Sequence, residues 1–243
     1  MRLKTQFLLA AFLLTAVSET FGQGAFRNLD FESATVPVSQ PPSPNPSVPD
    51  VGVAAALPGW SVFIGTNQMS AVLYNNQTLD TSAVALLRNN YADLSVIDGT
   101  FSVFFLAGRT AEPGGPIMVT DTALSQTGLI PATAQSLQFK ARQVVFSGLF
   151  PPISIAVSLD DQALSTVPLQ VTPQYVLFGA DVTAFQGQTR ELRFTIPSAG
   201  VGRGFVMDSI SFSNQPIPEP SVFGLLAVGA LLLGWRWHTS RRP

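Results

Sequence analysis

The residues able to do chemistry are few and poorly grouped. The sole histidine is His238, close to the C-terminus, and there is no cysteine. Ser-His-Asp catalysis, thiolate chemistry, disulfides and histidine or cysteine metal sites therefore lack their essential groups. No Gly-rich phosphate loop ending in Lys-Ser/Thr is present. What remains is oxygen chemistry. Glycoside hydrolysis needs only two carboxylates, and the glutamates between the terminal segments are Glu32, Glu112 and Glu191. Asp160 and Asp161 are adjacent, so their carboxylates diverge and read as turn formers. Glu191 lies beside Arg190 and Arg193, which reads as a cross-strand ion pair. The expectation is a protein without catalytic turnover.

Sugar recognition is the chemistry the composition allows. Aromatic faces pack on pyranose C–H groups while planar amides take the hydroxyls. Tyr74, Tyr91 and Tyr175, with Asn75, Asn76, Asn89 and Asn90, supply these types. The best exposed cluster is Leu87-Arg-Asn-Asn-Tyr91, so Tyr91, Tyr175, Asn89 and Asn90 are the candidate ligand residues. Asn-Asn is equally good turn chemistry. Trp60, in Pro58-Gly-Trp60, is expected to pack in the core or at its rim. Between Ala25 and Ile217, thirteen acidic residues outnumber eight scattered basic ones. Nothing there would neutralise a run of phosphates, so nucleic acid is excluded as a partner.

The elements that must position these residues read as strands. Short β-branched and aromatic runs recur between Gly, Pro, Asn and Asp. They predict strands at 60–64, 69–74, 83–87, 101–106, 117–124, 136–142, 153–159, 162–167, 175–182, 191–196 and 205–212. Leu137, Phe139 and Ala141 alternate with Gln138, Lys140 and Arg142. Leu192, Phe194 and Ile196 alternate with Glu191, Arg193 and Thr195. One buried and one wet face is the pattern of antiparallel sheets, and many such strands imply a sandwich. Asp160-Asp161 predicts a hairpin turn, and Asp98-Gly99 another. The Pro-rich stretch 37–49 cannot join a sheet interior and reads as a surface loop.

Both ends read as targeting segments. Arg2 and Lys4 precede an apolar run at 7–17, and small residues follow at Ser18, Gly22 and Gly24. This predicts a signal peptide over 1–24, removed by signal peptidase. With no cysteine, an N-terminal lipoprotein anchor is excluded. A β-sandwich body over 25–215 follows, and then a C-terminal region over 216–243. That region runs Pro218-Glu219-Pro220, an uncharged apolar stretch from Val222 to Trp235, and a basic end at Arg236, Arg241 and Arg242. Two prolines prevent regular structure at the tripeptide. A membrane helix is expected over 221–237 and a basic tail over 236–243. The arginines put the C-terminus on the cytoplasmic side and the body outside. An ordinary permanent anchor is the alternative, although about 14 apolar residues fall short of the ~20 of a relaxed span.

This order of parts resembles the PEP-CTERM sorting signal of Gram-negative envelope and exopolysaccharide-associated proteins. The resemblance implies recognition and cleavage by exosortase, an integral-membrane cysteine peptidase. The product would be a structural or interaction protein of the cell surface, outer envelope or extracellular matrix. In the body, Asn28-Leu-Asp-Phe-Glu32, Pro58-Gly-Trp60, Asp98-Gly-Thr-Phe101, Ser125-Gln126-Thr-Gly128 and Asp208-Ser-Ile-Ser-Phe212 look like galactose-binding-like jelly rolls, a class that includes many carbohydrate-binding modules. That resemblance implies an all-β, antiparallel jelly-roll β-sandwich and, as the alternative function, a module with a defined exopolysaccharide or glycan site. It also implies a structural Ca²⁺ held by Glu32 and Asp208. Equally open is that Glu32 caps a local turn while Asp208 pairs with Arg27 or Arg203.

Overall fold

The computed structural model describes residues 25–36, 51–78, 81–88, 94–111, 117–145, 154–198 and 203–218. The expected signal peptide, the Pro-rich stretch 37–49 and the expected membrane helix at 221–237 lie outside these. The first elements are β1 (Val51–Gly52), the one-turn helix α1 (Val53–Ala56), β2 (Ser61–Ile64), β3 (Asn67–Met69) and β4 (Ala71–Tyr74). Next come β5 (Ala83–Arg88), β6 (Phe101–Ala111), β7 (Ile117–Thr120), β8 (Thr122–Leu129) and β9 (Ser136–Val145). They are followed by β10 (Ala156–Leu159), β11 (Gln162–Leu164), β12 (Thr166–Val171), β13 (Val176–Asp181), β14 (Thr189–Ile196) and β15 (Arg203–Ser213).

These strands make a jelly-roll β-sandwich. The larger sheet runs β1-β4-β5-β6-β15-β9-β13-β12, with β7 paired to β6, and the smaller runs β11-β10-β14-β8-β2-β3. The inward residues are those the alternation marks. Leu137, Phe139 and Ala141 of β9 are buried, as are Leu192, Phe194 and Ile196 of β14. Phe139 and Phe194 meet edge-on across the gap, with centroids 5.1 Å apart. Asp160 and Asp161 form the β10–β11 turn with φ of 45° and 63°, as their short polar side chains permit.

Five differences from the sequence reading have physical causes. The expected strand 69–74 breaks at Ser70, where β3 pairs with β2 in the smaller sheet and β4 with β1 and β5 in the larger. The expected strand 162–167 is two strands broken at Ser165, because β11 pairs with β10 in one sheet and β12 with β13 in the other. The expected strand 117–124 likewise breaks at Asp121, where β7 stays with β6 and β8 crosses to the smaller sheet. A strand that changes sheets turns the sandwich corner and keeps its apolar pattern through the break. β4 and β5 pair in parallel within otherwise antiparallel ladders. Finally, β5 and the first half of β6 are buried on both faces. The second face, with Ala85, Leu87, Phe104, Leu106 and Val206, is covered by Leu94, Val96 and Ile97. Simple alternation therefore fails there, as it does for any strand with cover on both sides.

Candidate functional site

The opening segment 28–32 meets the last strand, β15, and the carboxylates gather there. The opening segment 28–32 is fixed by Phe31, fully buried, whose ring lies 5.8 Å from that of Trp60. Trp60 Nε1 donates to the Asn28 carbonyl at 3.0 Å. Trp60 is therefore a core residue, as expected, and its polar edge is spent on the backbone. Ile210 N–H donates to the Leu29 carbonyl at 2.9 Å, tying the opening segment to β15. β15 carries a bulge against β9 between Asp208 and Ser211, with Ser209 at φ 49°. A bulge re-aims side chains, and this one accompanies the turn of Asp208 into the recess.

Asp30, Glu32, Asp98, Gly99, Asp208 and Ser209 line a recess of about 240 Å³. The two residues expected to share an ion, Glu32 and Asp208, are thus brought together, with Asp30 and Asp98 added. Each carboxylate already has work. Glu32 Oε1 accepts from the backbone N–H of Thr100 at 2.8 Å and of Phe101 at 2.9 Å. It caps a turn, but one 68 residues away. Gly99, at φ +58°, makes this possible: a Cβ there would stand 2.8 Å from Glu32 Cδ. Asp208 is 1% exposed. Its Oδ2 accepts from Ser102 Oγ and from Asp98 N–H at 3.1 Å, and its Oδ1 from Ser209 N–H at 2.6 Å. Asp98 in turn is paired with Lys140 Nζ.

These environments push the two aspartates apart. Burial raises Asp208 to about 6, against the three hydrogen bonds that favour its charged form. The hydrogen bond and charge of Lys140 hold Asp98 below its ordinary value. Lys140 is raised by the same partner. The recess is all oxygen, the chemistry calcium prefers. Among the described residues no three carboxylates converge closely enough to hold an ion together, and Lys140 already supplies positive charge.

Of the candidate ligand residues, Tyr175 is described, while Asn89, Asn90 and Tyr91 lie outside the described residues. Tyr175 sits before β13, with Lys140 Nζ 5.1 Å from its ring centroid. Beside it, Arg142 donates to Ser95 O at 2.7 Å, Ser95 Oγ at 2.9 Å and Gln174 O at 3.5 Å. One guanidinium thus joins the neighbours of Tyr175 to residue 95. Desolvation lowers Arg142. Glu191 is not in a cross-strand pair: its partner is Arg193 on its own strand, at 3.9 Å, while Arg190 reaches Asp160 at 2.7 Å. The antiparallel register sets Asp160 close to Arg190 and leaves Glu191 beside its own i+2 neighbour.

Of the sorting residues, only Pro218 falls within the described chain; Glu219, Pro220, Arg236, Arg241 and Arg242 lie beyond it. Asp30, Asp98, Ser102, Lys140 and Arg142 are the site residues that sequence reasoning missed. Lys140 and Arg142 were legible only as wet-face positions.

Residues 216–242 match the PEP-CTERM protein-sorting motif. No curated protein matches the chain. Among solved structures, the chain is similar to TmCBM61 in complex with β-1,4-galactotriose, at 12% identity and TM-score 0.44 over 79% of this chain and 99% of that one. It is also similar to the Stig cyclase Fisc from Fischerella sp. TAU, in complex with an indole ligand, at 17% identity and TM-score 0.45 over 76% and 93%. A further cyclase from Fischerella sp. TAU, in complex with 4-(1H-indol-3-yl)butan-2-one, gives 14% identity and TM-score 0.42 over 81% and 98%. At these values the likeness says nothing of the site.

The Asp208 environment makes a pH prediction. A raised folded-state value means that protonation stabilises the fold: the gain is complete below the ordinary 3.8 and is lost as pH rises through about 6. Asp98 has the opposite sign, its stabilisation fading only as pH falls below 3.8. In urea unfolding with a chelator present, the stability difference between wild type and Asp208→Asn should change by on the order of 2–3 kcal/mol between about pH 4 and pH 6.5. A difference that stays flat across that window refutes the assigned burial of the carboxyl.

Proposed function

We propose that this is an exported protein of the Gram-negative cell envelope or extracellular matrix, sorted by exosortase and acting by surface adhesion and polymer association. The observation that carries the reading is the sorting motif at 216–242, which implies export and delivery toward the cell surface. The route would begin with signal peptidase at the N-terminus. It would pass through an inner-membrane intermediate with its C-terminus in the cytoplasm, and end with cleavage near Pro218-Glu219-Pro220. A non-catalytic role is supported by the placement of the carboxylates, each committed to backbone, serine or ion-pair partners within the recess.

A second reading, a defined glycan site, is favoured by one observation. Arg142 binds both Ser95 and Gln174, so the end of the segment after Tyr91 stands near Tyr175. An acidic polysaccharide fits a half-buried guanidinium that is in no ion pair with a carboxylate among the described residues. Against it, Lys140 already lies over the Tyr175 ring. We also propose that Glu32 and Asp208 hold a structural Ca²⁺. When bound, the ion would join the opening segment to β15 and favour the charged form of the buried Asp208 carboxyl.

Three measurements test these readings. Intact mass of the protein from envelope and medium fractions of its host should show loss of the signal peptide and of the segment following the tripeptide. A retained tail in the inner membrane would leave an ordinary anchored protein. Millimolar calcium should raise the unfolding midpoint of wild type and leave Glu32→Gln unchanged; equal shifts in both, or none, remove the metal. Saturable binding to acidic exopolysaccharide that weakens about tenfold in Tyr175→Ala, the loss expected for a stacked ring of roughly 1–1.5 kcal/mol, would mark a glycan site. Binding unaffected by that change returns the protein to the general matrix class.

A further inference from the structure

The chain does not leave the body where its last strand ends. Gln135 N–H donates to the Ser213 carbonyl at 2.7 Å, Gln135 Nε2 to the Asn214 carbonyl at 2.9 Å, and Ser136 Oγ to the Gln215 carbonyl at 2.7 Å. The chain then crosses β13 toward β12. Ile217 is half-buried, and its Cδ1 lies 2.5 Å from where a Cβ on Gly179 would stand, with Leu169 Cδ1 at 2.7 Å from the same point. Gly179 is not among the glycines at positive φ. Its missing side chain serves close approach, and the space is taken by Ile217. Pro216 and Pro218 line the adjoining recess with Val167 and Asp181.

The sorting match begins at residue 216, so it overlaps the docked segment. Pro218 is both the first residue of the tripeptide and part of the lining of a recess on the sandwich. From there the apolar run begins at Val222, a reach of at most ~14 Å of extended chain. A membrane-embedded peptidase would meet a folded domain directly against its cleavage region.

We infer that the Gly179 notch is a docking site for the sorting segment, and that Ile217 must leave it before the tail is cut. This rests on the exosortase reading of the tail. Undocking frees residues 214–218, which adds up to ~17 Å of reach. The docked segment is held by one partly buried side chain and a few surface hydrogen bonds. The docked state is therefore favoured yet easily opened, as a reversible step requires.

The absence of native cysteine gives a clean test in the full chain, expressed in its own host. In Leu169→Cys/Ile217→Cys the thiols replace side chains whose tips meet beside Gly179, and a short bifunctional thiosulfonate reagent added to cells should link them after export, read as a gel shift reversed by reductant. Pulse-chase conversion of precursor to mature form should slow at least about tenfold in the linked pair and recover on reduction. Ile217→Asp should speed conversion about threefold to tenfold, the weight of a half-buried isoleucine. Failure of the link to form overturns the docking. A link that forms without slowing conversion overturns the required release. Wild type that is never converted overturns the exosortase reading instead, and the link alone then decides the docking.

Discussion

The meeting of the opening segment with β15 is the constraint around which the rest is arranged. Residues 28–32 form no extended ladder, and they reach their place through two left-handed residues, Asn28 at φ 49° and Phe31 at φ 59°. For a bulky side chain such as Phe31 that conformation costs on the order of 1–3 kcal/mol. Full burial of the ring returns roughly 1.5–3 kcal/mol, so the strain is balanced only because the ring lies under Trp60. The hydrogen bonds from Trp60 Nε1 to Asn28 and from Ile210 to Leu29 then convert a neutral bargain into a fixed geometry. Once that geometry holds, Glu32 is aimed at the 98–101 turn and Asp208 at Ser102.

Magnitudes decide what holds the acidic recess. The ion pair of Lys140 with Asp98 is exposed on the acidic side, at 57% for Asp98, and such pairs contribute about 1 kcal/mol or less. The hydrogen bonds from backbone N–H to carboxylate are worth more, on the order of 1.5–3 kcal/mol each where charge assists. Glu32 receives two of these and Asp208 two, with Ser102 as a further donor. The recess is therefore organised by carboxylates gripping a distant turn. Lys140 tempers the charge without building the site. Asp208 is the member left in tension, since burial opposes its charge while three donors favour it.

Much of this was legible from residue order because local chemistry and global fold agree. The alternation in 136–142 and 191–196 marks the inner faces correctly, and Asp160-Asp161 marks its hairpin, since in each case one neighbour relation sets the outcome. The tail was legible for the same reason: proline, apolar run and arginine act in sequence order. Breaks at Ser165 and Asp121 were not legible, because a strand that changes sheets keeps the same pattern on both sides of the corner. The second buried face of β5 and β6 depends on Leu94, Val96 and Ile97, whose position over the sheet is set by tertiary path. For the recess, the pairing of Glu32 with Asp208 was reached by resemblance. The roles of Ser102 and Lys140 required register, since Lys140 stands opposite Asp208 only through the β9–β15 pairing.

A glycine inside a strand costs about 0.5–1 kcal/mol relative to a residue with a side chain, so Gly179 in β13 calls for a reason. Its backbone conformation gives none, and the space above it does, because Ile217 and Leu169 fill it. β12 beside it is the last strand of the larger sheet, with Val171 74% exposed. Open edges invite pairing with other chains, and here Pro168 and the bulge that follows it interrupt the ladder. The tail lying across β13 toward β12 adds cover at the same edge. A segment that begins the sorting signal thus also finishes the surface of the sandwich. The end of the fold and the start of the sorting signal share residues 216–218, so a change at either one acts on both.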